Sequence, residues 1–211
     1  MNRRTFGQVL ATATFGSTTF LAAPFARAEP LTPTEREALA RGASVRRPVD
    51  ADLEQGTYQG GVSYAVVKAP AAFVLAMLQE VDVYRSILAL TLEAKLQGTR
   101  GADRLVYLKH GGKLGTAGYT LRIRNPDSDG VIRFWMDPTF EHEIEDVWGY
   151  VRVEPLGPAK CLATYAILCD LGSILRVLFG ERIRRYALDT PEHIQSVAES
   201  AYAAIPPTDA P

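Results

Sequence analysis

The chain has 211 residues, with 23 Lys plus Arg against 24 Asp plus Glu, and 47% of it is hydrophobic. That length fits one ordinary domain with a real core, and the balanced charge removes the electrostatic footprint expected of a nucleic-acid binder. Composition also excludes collagenous, disordered and disulfide-framework classes, and no apolar run reaches the roughly 18–20 residues a spanning helix needs.

Residues 1–28 read as an export signal. Arg3-Arg4 precede a mildly apolar stretch, Val9 to Ala23, which is diluted by Gly16, Ser17 and several Thr. Ala26-Arg27-Ala28 then supplies the small residues of a signal-peptidase site. The arginine pair, Phe6 and the weak apolar region resemble a twin-arginine signal, with Asn2 and Gln8 in place of the usual flanking residues. A plain Sec signal is the alternative, and either route implies export, to the periplasm of a bacterium. Cleavage after Ala28 removes three arginines and no acid, leaving 183 residues with 20 basic and 24 acidic side chains, a net charge of −4.

In chain order, Thr32-Pro33-Thr34-Glu35 carries the signals of a capping box with Pro at the first helical position, so a short helix is expected from Leu31 to Gly42. Ala43 to Gly56 is charged without a clear period and reads as a wrapping linker, so residues 29–56 form an N-terminal helix and linker. Residues 57–204 form the main domain, and 205–211 a fraying tail. Gly61 to Lys68 is Val- and Tyr-rich and reads as a strand. Ala71 to Glu80 is helical, with Phe73, Val74, Met77 and Leu78 on one face, and Asp82 can cap a second short helix carrying Val83, Tyr84 and Ile87. Six strands follow at about Leu90–Gly98, Arg104–His110, Ala117–Asn125, Val131–Asp137, Glu143–Glu154 and Lys160–Asp170. After Gly172 a helical period returns, with Leu175, Leu178, Phe179, Ile183 and Tyr186 on one stripe. Thr190-Pro191 should kink or restart that helix, because proline is tolerated only in a first turn.

One hairpin can be registered from its pattern. Tyr119, Leu121 and Ile123 share one face, and Ile132, Phe134 and Met136 share one face. Pairing Ile123 with Ile132 sets Leu121 opposite Phe134 and Tyr119 opposite Met136. The other face then holds Arg122 opposite Arg133, two cations that need an acid, solvent or a bound anion. Trp148 and Tyr150 point opposite to Val147, Val151 and Val153, so both faces of that strand could be buried. Cys161 and Cys169 lie in one strand, about 26 Å apart, too far for a bridge that needs roughly 7 Å or less between Cα atoms. They read as buried small hydrophobes.

The element order resembles the helix-grip fold of the START / polyketide cyclase (SRPBCC) superfamily, which includes the birch-pollen allergen. Val66-Val67-Lys68-Ala69-Pro70 is similar to its first strand-to-helix corner, and the spacing of Asp82 and Tyr84 to its second-helix segment. Asp146-Val147-Trp148-Gly149-Tyr150-Val151-Arg152-Val153-Glu154-Pro155 resembles its sixth strand, and Cys169-Asp170-Leu171-Gly172 its turn into the long helix. The likeness spans roughly Thr57 to Ala203. It implies an α+β fold, a seven-stranded curved antiparallel sheet wrapped around a long C-terminal helix, with a cavity between them for a hydrophobic ligand.

On that expectation the wall is formed by Tyr107, Tyr119, Leu121, Phe134, Met136 and Tyr165 of the sheet and Leu175, Leu178, Phe179 and Ile183 of the helix. Arg122 and Arg133 are the candidate polar contacts. The same side chains could instead fill a packed core, since sequence does not separate the two. The partner implied is a lipid or other hydrophobic small molecule, with transient membrane contact left open. The competing class is a cyclase or aromatase using Arg122, Arg133, Tyr107 and Tyr165, and a third is a scaffold whose cavity has closed.

No other chemistry is legible. His142 sits in an acidic run, Glu141 to Asp146, expected as a strand, but without metal-ligand spacing. His110 and His193 have no sequence-evident partner. No serine lies in a GxSxG elbow, and Gly111-Gly112-Lys113-Leu114-Gly115 joins two strands, so it reads as a hairpin rather than a phosphate loop. No catalytic residue, metal or cofactor is therefore assigned.

Overall fold

The computed structural model describes residues 30–112 and 115–206, without the side chains of residues 174, 175, 178 and 179. The expected export signal, the hairpin tip at Lys113-Leu114 and the end of the tail lie outside the described residues.

Helix α1 (Pro33–Ala40) opens with the anticipated capping box, Thr32 Oγ1 accepting the Glu35 N–H at 3.2 Å and Glu35 Oε2 accepting the Thr32 N–H at 2.7 Å. Strands β1 (Val45–Leu53) and β2 (Gly56–Val67) follow, then α2 (Ala71–Met77), a 3-10 turn (Val81–Val83) and α3 (Tyr84–Ile87). Six strands succeed one another, β3 (Thr91–Arg100), β4 (Asp103–Gly112), β5 (Gly115–Arg124), β6 (Val131–Met136), β7 (Asp146–Gly157) and β8 (Lys160–Asp170). Helices α4 (Gly172–Leu188) and α5 (Thr190–Ala203) complete the chain. All strands are antiparallel in one sheet of order β1-β2-β8-β7-β6-β5-β4-β3.

The sheet has eight strands rather than seven, because Val45–Leu53 is a strand and not a linker. Val45, Val49, Ala51 and Leu53 of β1 pack into the apolar cluster beneath α1, while Arg46, Pro48, Asp50 and Asp52 are exposed. The alternation is present in the sequence but masked by charge. Pro48 is tolerated because β1 is an edge strand, where one side of the backbone needs no ladder partner.

Both faces of the sheet are partly covered. The outer face packs Val62, Tyr64, Ala166 and Leu168 beneath Leu39 of α1, joined by half-buried Trp148 and Tyr150. The inner face carries Val106, Leu108, Leu121, Phe134, Val151 and Tyr165 in one core with Ile194 and Ala198 of α5. Thr190, Ile194 and Ala198 recur every fourth residue, so α5 presents a buried stripe to the sheet. The chain restarts from α4 to α5 at Asp189, with Pro191 in the first turn of α5 as its missing N–H requires. Asp170 and Gly172 make the turn into α4, Asp170 Oδ1 accepting the Gly172 N–H at 2.9 Å and Gly172 adopting φ +71°.

Two local expectations are corrected. Leu121 pairs with Met136 and Ile123 with Phe134, a register two residues away from the expected one. The facing parity survives, so Leu121, Ile123, Ile132, Phe134 and Met136 are all buried in the same core. The shift sets Arg122 opposite Trp135 and Arg124, not Arg122, opposite Arg133. The β5–β6 loop, closed by Asp127 Oδ1 on the Val131 N–H at 3.0 Å, accommodates that offset. The acidic run Glu141–Glu145 is a loop rather than a strand. Its polar groups find local partners instead of a ladder, His142 Nδ1 lying 2.7 Å from Ile144 O and Glu143 accepting from Gly118 N.

Candidate functional site

Between the inner face of the sheet and helices α3, α4 and α5 lies a cavity of about 770 Å³. That is within the 300–1,000 Å³ common for small-molecule sites. Its floor is apolar, with Leu108, Ile123, Val147, Val151, Ile167 and Ile194 exposing hydrocarbon to it. The solvent-exposed members of the wall cluster at one end, at Leu90, Gly112, Gly115, Thr116 and Arg182, and mark the mouth.

Of the expected wall residues, Tyr119, Leu121, Phe134, Tyr165 and Ile183 line the cavity. Phe134 and Tyr165 stack there with ring centroids 5.9 Å apart. The side chains of Leu175, Leu178 and Phe179 lie outside the described residues. Met136 is buried beside the cavity but does not line it. Tyr107 also lies away from it, because strand alternation sends Val106 and Leu108 inward and Tyr107 over Gly118, where an added Cβ would meet the Tyr107 hydroxyl at 2.5 Å. Arg122 and Arg133 lie on the outer face as well. Arg122 Nη2 donates to Asp103 Oδ2 at 2.9 Å, and Arg133 Nη1 to Asp127 Oδ2 at 2.5 Å. Neighbouring acids, not a ligand, neutralise these two cations.

The polar centre of the cavity is one that sequence reasoning missed. Tyr119 Oη lies 2.9 Å from His110 Nε2, and His110 Nδ1 lies 3.1 Å from Thr91 Oγ1 and 3.4 Å from the Ala89 carbonyl oxygen. Three strands and the α3–β3 turn thus converge on one imidazole. In that turn Leu90 has φ +61°, the left-handed region that costs a residue with a Cβ about 1–2 kcal/mol. Gly111 N–H donates to Leu90 O at 2.9 Å and holds the turn in place. Gln59, buried where β2 meets Gly180 of α4, contributes an amide nitrogen with no hydrogen-bond partner among the described residues.

Electrostatically the interior is neutral. Burial pushes the Tyr119 and Tyr165 phenols and the Cys169 thiol up, and pushes the His110 imidazole down, so each favours its uncharged form near pH 7. The two arginines of the wall are committed at its rim. Arg184 bonds Asp50 at 2.7 Å and also Glu181, and Arg182 Nε donates to the Tyr186 hydroxyl at 3.0 Å. Among the described residues no group of His, Cys, Asp and Glu could hold a metal ion, and no helix is long and apolar enough to cross a membrane. Cys161 and Cys169 are free thiols.

No protein-family model and no curated protein matches the sequence. Solved structures do. An aromatase/cyclase from Streptomyces sp. R1128 superposes with a TM-score of 0.58 at 15% identity, covering 76% of this chain and 98% of that one. A STAR-related lipid transfer protein from Xanthomonas axonopodis gives 0.56 at 15% identity, over 72% and 98%. A START superfamily protein from Mycobacterium smegmatis gives 0.52 at 13% identity, over 66% and 94%. The chain therefore has the START-like helix-grip fold, an α+β architecture found in both lipid-transfer proteins and cyclases.

Proposed function

We propose that this protein is a carrier that binds a lipid or other hydrophobic small molecule in its internal cavity and does not transform it. The observation that carries this reading is the cavity itself, about 770 Å³ between sheet and helices, with an apolar floor and, among the described lining residues, no charged side chain but Arg182 and Arg184. Burial of apolar ligand surface there is worth roughly 25 cal/mol per Å² before the costs of association. The likeness to a STAR-related lipid transfer protein adds fold-level support.

A cyclase or aromatase is the second reading, supported by the likeness to an aromatase/cyclase and by the His110–Tyr119 pair inside the cavity. Of the four residues first suspected for that chemistry, only Tyr165 lines the cavity. Incubation of the purified chain with lipid extract, followed by mass spectrometry of bound and free pools, separates the readings. Intact ligand in both pools is expected. A chemically altered product that depends on His110 or Tyr165 would establish the enzyme.

Export belongs to the same proposal and rests on Arg3-Arg4 and Ala26-Arg27-Ala28. A carrier outside the cytoplasm could move apolar molecules through water between membranes. Replacing both arginines by lysine should block a twin-arginine route, and unchanged export would reject that route in favour of Sec.

A further inference from the structure

His110 is engaged at both ring nitrogens, and its partners favour one position for the ring proton. Nδ1 lies 3.4 Å from the Ala89 carbonyl oxygen, and since a carbonyl can only accept, this contact favours the tautomer with the ring proton on Nδ1. Thr91 Oγ1, 3.1 Å from the same nitrogen, can act as a second acceptor for it. The left-handed Leu90 turn places both oxygens on that one atom. In a neutral ring protonated at Nδ1, Nε2 is an acceptor, and the Tyr119 hydroxyl 2.9 Å away must donate to it. Desolvation of His110 favours that neutral ring.

The Tyr119 proton is thereby used within the protein. What Tyr119 Oη retains for the cavity is acceptor capacity alone. A ligand group that meets it must bring a hydrogen, which ethers, ester carbonyls and carboxylates lack. A carboxylate would also enter a wall whose arginines, Arg182 and Arg184 among the described residues, are already bonded to other side chains.

Resting on the reading that the cavity holds a hydrophobic molecule, we infer that the ligand is a neutral apolar alcohol whose hydroxyl donates to Tyr119 Oη. The His110–Tyr119 pair then works as a selector of polar group, while the apolar floor takes the hydrocarbon.

The test uses the full chain loaded with Nile red and displaced by 1-hexadecanol or by hexadecyl methyl ether, which keeps the oxygen and loses the hydrogen. The alcohol should displace the dye at about fivefold lower concentration than the ether, the size of one hydrogen bond. That preference should vanish in Tyr119→Phe. Equal potency of the two, or a preference retained in Tyr119→Phe, would overturn the inference while dye binding leaves the cavity reading intact. Absence of binding by dye, alcohol and ether would reject the cavity reading and the inference with it. Independently of any variant, 15N NMR of His110 should find Nδ1 protonated. A proton on Nε2 would make Tyr119 the acceptor of that bond, free its hydroxyl hydrogen for the cavity, and overturn the selection.

Discussion

Asp103 is only 2% exposed, yet its Oδ1 accepts from Arg124 Nε at 2.9 Å, so a carboxylate at the start of β4 is shielded from water by the cations it neutralises. Arg122 reaches the same carboxylate at 2.9 Å. The Trp135 ring lies under both guanidinium groups, its centroid 5.4 Å from Arg122 Cζ and 5.1 Å from Arg124 Cζ. Without Asp103, two cations on one strand face would share a single aromatic ring.

Asp103→Ala is therefore expected to lower stability by about 2–3 kcal/mol, the scale of losing hydrogen bonds to a charged group. The measurement is the urea midpoint at unchanged slope. Asp103→Asn, which keeps one acceptor oxygen, should cost less. Equal midpoints for all three proteins would show that the cluster is a surface ornament of the kind exposed ion pairs often are.

The same cluster explains what the sequence did and did not disclose. The face on which Leu121, Ile123, Phe134 and Met136 lie is legible from period-two alternation. The register is not, because a slip of two residues preserves every facing choice and changes only the partners. Trp135 and Asp103, the residues that make the observed register electrostatically favourable, are on three different strands together with the arginines they serve. Strand β1 was hidden by Arg46, Asp50 and Asp52 and by Arg47, which interrupts the otherwise apolar alternation of Val45, Val49, Ala51 and Leu53. The stripe of α5 was hidden because Thr190 and Ala198 are only weakly hydrophobic. The His110 site depends on Ala89, Thr91 and Tyr119, whose convergence no local pattern reveals. Whether apolar residues line a space or fill it depends on the separation of the helices from the sheet, which residue types do not encode.

Leu121 and Met136 face each other in that register, but only Leu121 borders the cavity. Enlarging each should have opposite consequences. Leu121→Phe can extend into open space, so ligand affinity should fall while stability changes by less than about 1 kcal/mol. Met136→Phe must press on packed neighbours and should cost about 1–3 kcal/mol. Comparable destabilisation in both variants would indicate that Leu121 borders no usable space.

Acid should weaken the contact between α1 and β1. Hydrogen bonds from Arg47, Nε at 2.8 Å and Nη2 at 2.6 Å, together with the Thr32 N–H, hold the Glu35 carboxyl down to about 2 from an ordinary 4.5. A depressed folded-state pKa contributes stability that is present above pH 4.5 and is lost as pH falls toward 2. Glu35→Gln should be less stable than wild type at pH 7, and the gap should close through that window. Melting temperatures recorded from pH 7 to pH 2 would show it. A gap that stays constant would mean that the carboxylate's charge does not matter.

The most direct measurement of the central proposal is native mass spectrometry of the purified chain before and after extraction with organic solvent. The account predicts a non-covalent adduct that extraction removes and that incubation with lipid extract restores. A bare chain mass throughout, with no uptake from the extract, would contradict it.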